Sequence, residues 1–346
     1  MDVAFLPVYP NPYQKLLRDA LQLERIGVEF LDNLPPEEWL RSQRHRLDIL
    51  HYHWLDGLYM RRYQTPLQVM KFIRHFHTAR SLGYRTVWTA HNILPHRPVF
   101  LPLHKRIRRL MMAEADAVIT HCEYGRRELL ARFPRHGPVV VIPHGHYRDV
   151  YPRAFSRASA RERLGLEESS FIYLSFGNIT AYKGLGDFVH AFRRVAGPRD
   201  IALIVGRDRD RRLVFRLSEI SARDDRIHIK PGFVPEEEVA LYHAAADVLV
   251  APFRQVLTSG SVIAALSFGV PVIAPALGCL PELISPAAGL LYEVDKPAAL
   301  DSAIRDIKAR DQTEMRAAAR QIADGLDWRA IARRTAGVYQ SCLATS

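Results

Sequence analysis

The chain has 346 residues, 48% hydrophobic and 25% charged, with 48 Lys/Arg against 37 Asp/Glu and a formal net charge of +11. This composition excludes a disordered or fibrous chain and fits a globular enzyme, while the length exceeds what one core usually holds, so two domains are expected. No run of about 18 apolar residues occurs, which excludes a spanning helix, and the isolated Cys122, Cys279 and Cys342 form neither a zinc-ligand spacing nor the disulfide framework of a small secreted domain, which points to the cytoplasm.

Met1 leads directly into Val3-Ala4-Phe5-Leu6-Pro7-Val8, which reads as a first buried strand and, lacking a basic start and a small-residue cleavage site, as a poor signal peptide. Further strands are expected at 27–30, 49–53, 86–90, 117–121 and 139–143, with helical patterns at 13–26, 66–82, 102–113 and 124–133 between them. Such alternation builds a parallel sheet covered on both faces. Residues 145–168 break the pattern and read as a linker. A second alternation follows, with strands at 171–176, 202–205, 227–230, 248–251 and 270–274 and helices at 184–195, 212–221, 236–245 and 262–268. The segment 297–343 is helical, anchored by Trp328 and Tyr339. The fold class is therefore α/β: two doubly wound, Rossmann-like domains (1–150 and 151–325) facing a cleft, with a final helix at 326–346. Ligands are expected beyond the carboxyl ends of the strands.

Two stretches carry chemistry. Thr258-Ser259-Gly260-Ser261 opens an apolar helix, and a small-residue loop at a helix start offers unpaired N–H groups and a positive dipole end to phosphate or pyrophosphate. An ordinary serine N-cap would look the same. Residues 57–113 hold eleven Lys/Arg and no Asp or Glu, and mix cations with large apolar residues at helical spacing. That pattern suits an anionic membrane surface as well as a plain solvated face; no nucleic-acid motif accompanies it.

Several motifs resemble those of the group 1 (family four type) glycosyltransferases of the GT-B fold. They are Ala115-Asp116-Ala117-Val118-Ile119-Thr120-His121, Val141-Ile142-Pro143-His144-Gly145, Ser175-Phe176-Gly177-Asn178, Tyr182-Lys183-Gly184, Ala245-Ala246-Asp247-Val248-Leu249-Val250-Ala251-Pro252, Ser267-Phe268-Gly269-Val270-Pro271-Val272-Ile273-Ala274 and Leu280-Pro281-Glu282. Singly each is weak, but their order and spacing are specific. The resemblance implies a nucleotide-sugar donor bound by the second domain, an acceptor bound by the first, a C-terminal helix crossing back onto the first domain, and no metal. It makes Lys183 the diphosphate lysine, Gly232 and Phe233 the nucleobase region, Glu282 a donor-side carboxylate, and His91 a histidine near the donor sugar.

The chain also departs from the family. Asn178 stands where an arginine is usual, which makes Arg254 the substitute cation, and Val256 and Ala264 stand where the family has two glutamates. Ser259 and Ser261 offer neutral hydrogen bonds instead. A related set of exopolysaccharide transferases, including β-mannosyl and glucuronosyl enzymes, shares this departure and the Asn11-Pro12-Tyr13 turn, which points to inversion. Inversion needs a general base; His91, Asp56 and His53 are the candidates, with His144 and His96 behind them. The resulting expectation is a glycosyltransferase using a GDP- or UDP-sugar and a lipid-linked or polysaccharide acceptor, cytoplasmic or peripheral on the inner face of the plasma membrane. The alternatives are a nucleotide-sugar epimerase or hydrolase on the same fold, or a non-catalytic nucleotide-sugar-binding subunit.

Overall fold

The structure, a computed structural model, describes residues 1–9, 11–60, 66–95, 100–151, 155–296 and 298–344. His96, together with Arg61, Arg62 and Arg97 of the basic stretch and Pro297 of the C-terminal segment, lies outside the described residues. The chain divides into two compact units, Met1–Gly145 with Leu326–Ser346, and His146–Gly325.

The first unit is built on six strands: β1 (Asp2–Leu6), β2 (Gly27–Phe30), β3 (Ile49–Tyr52), β4 (Arg85–Thr89), β5 (Ala117–Thr120) and β6 (Val139–Val141). Their order is β2-β1-β3-β4-β5-β6, and every pair is parallel. The second unit has β7 (Phe171–Phe176), β8 (Asp200–Gly206), β9 (Ile227–Pro231), β10 (Val248–Val250), β11 (Val272–Pro275) and β12 (Gly289–Tyr292), in the order β12-β11-β10-β7-β8-β9, again all parallel. The two alternating α/β patterns read from the sequence are thus the two sheets. Strand β12 escaped that reading because four residues, Gly-Leu-Leu-Tyr, carry too little periodicity. The helix Glu37–Gln43 escaped it because it buries one side chain, Leu40. The helix Arg157–Leu164 stands inside the stretch read as linker; Ser156 caps its start and the left-handed Gly165 ends it.

Both sheets are covered on two faces. In the first unit one apolar layer gathers Phe72, Phe76, Trp88, Ile107 and Met111, and the other gathers Val3, Phe5, Tyr13, Leu17, Trp328 and Tyr339. The second layer brings together the helices Pro12–Leu23 and Trp328–Ala344, so the last helix is part of the first unit's core. Asn11 is the N-cap of the first of these, its Oδ1 accepting from Tyr13 N at 3.0 Å with Pro12 at the first helical position. Gly145 leaves room for the second: a Cβ there would lie 2.2 Å from the Trp328 ring.

The two Ala-Asp motifs have the same architectural task. Asp116, just before β5, accepts from the backbone N–H of Thr86 at 2.7 Å and pairs with Arg80 and Arg85. Asp247, just before β10, accepts from the N–H of Ile172 at 2.7 Å and from Arg161 Nη2 at 2.7 Å, and also pairs with Arg157. Arg161 is 1% exposed and donates to the carbonyl oxygens of Ala245, Glu168 and Ser170 as well. Each carboxylate therefore ties the start of its own strand to the start of a neighbour. Removing one partner of a buried pair leaves an uncompensated charge, so Asp247→Ala should lose about 3–5 kcal/mol in urea unfolding; a loss below about 1 kcal/mol would put the anchor elsewhere.

Candidate functional site

The second unit gathers an anion-binding constellation at the carboxyl ends of its strands. Chain leaving β7 passes Gly177 and Asn178 into a short 3-10 turn, Ala181–Lys183. Gly184 then takes φ +66°, and a Cβ there would lie 1.9 Å from the Pro252 carbonyl oxygen, so only glycine lets this turn sit against the end of β10. The turn sends the Lys183 side chain back inward. Its Nζ donates to the Phe176 carbonyl at 3.0 Å, approaches Ser261 Oγ at 3.5 Å and lies over the Phe253 ring at 5.6 Å. Gly177, at φ +109°, lies against that seat, where a Cβ would stand 2.8 Å from Nζ. Burial pushes the ammonium down from 10.5 to about 8.

Facing Lys183 is the N-terminus of the helix Gly260–Ser267. Ser259 is its N-cap, accepting from Val262 N at 3.3 Å, and Ser259 Oγ and Ser261 Oγ lie 3.1 Å apart. Thr258 Oγ1 is 3.4 Å from Cys279 Sγ, linking this loop to the one after β11. A cation with a carbonyl and a hydroxyl for company, beside a helix start, is suited to an oxyanion or a diphosphate.

In the first unit the corresponding strand ends hold a nest of buried histidines. His53 Nδ1 lies 3.2 Å from His91 Nε2, His91 Nδ1 lies 3.1 Å from His121 Nε2, and His121 Nδ1 lies 3.0 Å from the Ile142 carbonyl oxygen. His51 contacts Tyr339 Oη at 2.6 Å and Thr89 Oγ1 at 2.7 Å. Trp54 stacks on His91 at 3.9 Å, and Tyr13 meets the rings of His53, His91, His121 and His144. Burial pushes His51 to about 3, His121 to about 4 and His144 to about 3. Burial first, and neighbouring histidines second, hold His53 and His91 well below the ordinary imidazole range. The rings bond to one another rather than converge: among the described residues no group of three or more His, Cys, Asp or Glu is arranged for a metal ion.

Residues 170–309 match the family model described as glycosyl transferases group 1. This chain carries a group 1 glycosyltransferase domain. Among similar proteins are GDP-mannose:glycolipid 4-beta-D-mannosyltransferase of Xanthomonas campestris pv. campestris, 28% identical over 77% of this chain and 70% of that protein. D-inositol 3-phosphate glycosyltransferase of Streptomyces avermitilis is 27% identical, over 96% of this chain and 73% of that one. Among solved structures, sucrose-phosphate synthase from Thermosynechococcus elongatus superposes with a TM-score of 0.80 at 20% identity, each chain covered in full. Anabaena Alr3699/HepE in complex with UDP gives 0.75 at 18% identity, over 99% of this chain and 100% of that one. The solved structures carry the GT-B fold.

Within the glycosyltransferase domain, the structure brings Lys183, Ser259, Gly260 and Ser261 together, with the exposed Asn178 beside Gly177. Arg254 points elsewhere: its guanidinium makes two 2.8 Å bonds to Asp187, on the helix after the Lys183 turn. That pair is exposed, and such pairs contribute little, so Asp187 is a weak tether. Gly232 and the 70%-exposed Phe233 follow β9, and Arg207, which the sequence reading passed over, lies over the Phe233 ring at 5.5 Å. Its signal was its place directly after Gly206 at the end of β8. Glu282 is exposed on the short helix Leu280–Leu283. Of the positions of the missing glutamates, Val256 is half-buried against the apolar core and Ala264 is buried.

In the first unit His91 and His53 are adjacent, whereas Asp56 is engaged on its own. Its carboxylate accepts from Arg108 Nη2 at 2.8 Å and from Tyr59 Oη at 3.0 Å, and Arg108 is 2% exposed. Asp56 is the carboxylate that pairs with this buried guanidinium, so its geometry is that of a counter-ion.

Two pH dependences follow. Lys183 binds fewer protons folded than unfolded between about pH 8 and 10.5, so stability should rise with pH across that window while anion binding through the ammonium weakens. Lys183→Met should remove both slopes, read from urea midpoints and nucleotide titrations on either side of about pH 8. The histidines act at the other end. Their depressed pKa values mean that the unfolded chain takes up protons first below about pH 6.5, so stability present above that pH should fall as the pH drops toward about 4, measured by the urea midpoint.

Proposed function

We propose that this glycosyltransferase moves a sugar from a GDP- or UDP-linked donor to a lipid-linked or polysaccharide acceptor, with the donor held by the second unit and the acceptor by the first. The observation that carries the reading is the seat of Lys183: a buried ammonium beside Gly177, Ser261 and a helix N-terminus, in the matched domain. These groups supply positive charge to the leaving diphosphate, which lets the reaction run without a metal. The names of similar proteins support the reagents: the Xanthomonas campestris relative is named for GDP-mannose and a glycolipid, and the Anabaena protein was crystallised with UDP.

Inversion is the favoured stereochemistry. Val256 and Ala264 provide no carboxylate near the donor, and the relative's name specifies a β-linked product. An inverting transfer then draws its base from the first unit, where His91 and His53 stand at strand ends. A membrane surface suits the acceptor. Lys71, Arg74, Lys105, Arg106 and Arg109 are exposed and make no ion pair among the described residues, and Leu67, Met70, Phe100 and Leu101 are exposed beside them. A face of this kind lies against anionic lipid, on the cytoplasmic side where nucleotide sugars are made. No helix of the described residues is long and apolar enough to cross a membrane.

The test is a thermal-shift screen with UDP, GDP and their sugars, followed by transfer to a lipid extract and proton NMR of the new anomeric centre. A donor that binds only the folded state should raise the melting temperature, and Lys183→Ala should lower kcat by about two orders of magnitude or more without unfolding the chain. No shift with any nucleotide, or near-normal turnover in Lys183→Ala, would overturn the reading.

A further inference from the structure

The hydrogen-bond pattern of the buried histidines has a direction. The Ile142 carbonyl, 3.0 Å from His121 Nδ1, only accepts, so that nitrogen carries a hydrogen and the neutral ring leaves Nε2 bare. His121 Nε2 therefore accepts from His91 Nδ1, 3.1 Å away, which leaves His91 Nε2 bare. His91 Nε2 in turn accepts from His53 Nδ1 at 3.2 Å. Three tautomers are thus fixed by one backbone carbonyl. The chain ends at His53 Nε2, which is buried and has no hydrogen-bond partner among the described residues.

We propose that His53, His91 and His121 form a one-way proton acceptor, with His53 Nε2 as its open nitrogen and His121 as the positioning residue that sets its direction. Both nitrogens of His91 are committed within the trio, so His91 takes a proton only by way of His53. The source of the proton rests on the transfer reading above; the tautomers do not. When an acceptor hydroxyl attacks the donor carbon, its oxygen forms the new C–O bond, the diphosphate leaves with the electron pair of the old one, and the hydroxyl proton is released. That proton forms an N–H bond at His53 Nε2, reaching it through the narrow pocket that His53 lines with Asp56, His91, Asn92 and Arg108. One positive charge results. If His53 passes its Nδ1 proton to His91, and His91 passes its own to His121, the charge moves across three rings without a second proton entering. At His121 it is stabilised by the bond to Ile142.

The groups facing the trio favour a transient rather than a resting cation. Tyr13 reaches it from the Pro12–Leu23 helix, His51 stacks on His53 from β3 at 4.2 Å, and His144 packs on His121 from beyond β6. Tyr339 from the last helix bonds to His51. Of the charged groups lining the pocket, Asp56 is paired with Arg108. No bare carboxylate among these groups holds an imidazolium in place, and burial keeps the rings neutral at rest.

The experiment is long-range proton–nitrogen NMR of the full chain labelled with 15N-histidine, at about pH 7, where histidines of ordinary pKa are mostly neutral. All three rings should appear as neutral Nδ1–H tautomers. An Nε2–H tautomer, or a doubly protonated ring, at any of the three would overturn the proposal, whether or not transfer is ever observed. His121→Phe removes the acceptor for His91 and should mix the tautomers of His91 and His53. It should also lower kcat about tenfold to a hundredfold with donor KM unchanged, within the range for acid–base catalysis. His121→Gln, whose amide oxygen can replace Nε2 as acceptor, should restore the tautomers and much of the lost rate. Unmixed tautomers in a folded His121→Phe variant would remove His121 from the positioning role; if that variant does not fold, the wild-type spectrum decides alone.

Discussion

A parallel strand must be followed by a return to the same end of its sheet, and both six-stranded sheets obey this throughout. Every strand therefore delivers its carboxyl end, and the loop that follows, to one edge of its own sheet. Residues far apart in sequence become neighbours there without any special device. In the first unit that edge collects His53, His91, His121 and His144 from the ends of four strands. In the second it collects Gly177, Lys183, Arg207, Gly232 and Ser261.

The opposite edge is held by charge. Asp116 and Asp247 each accept the backbone N–H of the second residue of a neighbouring strand and engage arginines, so the same short motif performs the same task in both sheets. Family motifs in this chain thus divide by edge. The Ala-Asp elements at strand starts fix register, and the glycine-bearing elements at strand ends make room for chemistry. Gly177 and Gly184 show the second kind: one clears the Lys183 ammonium and the other lets its turn close on Pro252.

Much of this was legible in the sequence, for a physical reason. Buried parallel strands are continuous apolar runs, so eleven of the twelve strands have clear signals, and Lys183 stands in a short motif beside its own strand. The strand Asp200–Gly206 was read short at its start because Asp200 is polar, although it is buried and held by Lys308 at 2.7 Å. What stayed hidden depends on distant partners. Nothing near Arg254 announces Asp187, which is 67 residues away, and nothing near Asp56 announces the buried Arg108. The histidine nest was hidden for a further reason: with 15 histidines in the chain, no single one stands out, and only the sheet order shows which of them meet.

The place of Trp328 against Gly145 bears on how the chain comes to be folded during synthesis. The first unit starts at residue 1, but the layer of its core that contains Tyr13 and Leu17 is completed by Trp328, Ile331 and Tyr339. Those residues emerge from the ribosome only after the whole second unit has been made. The usual order, in which the N-terminal domain folds first, is therefore altered here. The unit completed last is the one begun first, and one layer of its core stays incomplete until the final helix arrives, after every strand of the second unit has been made.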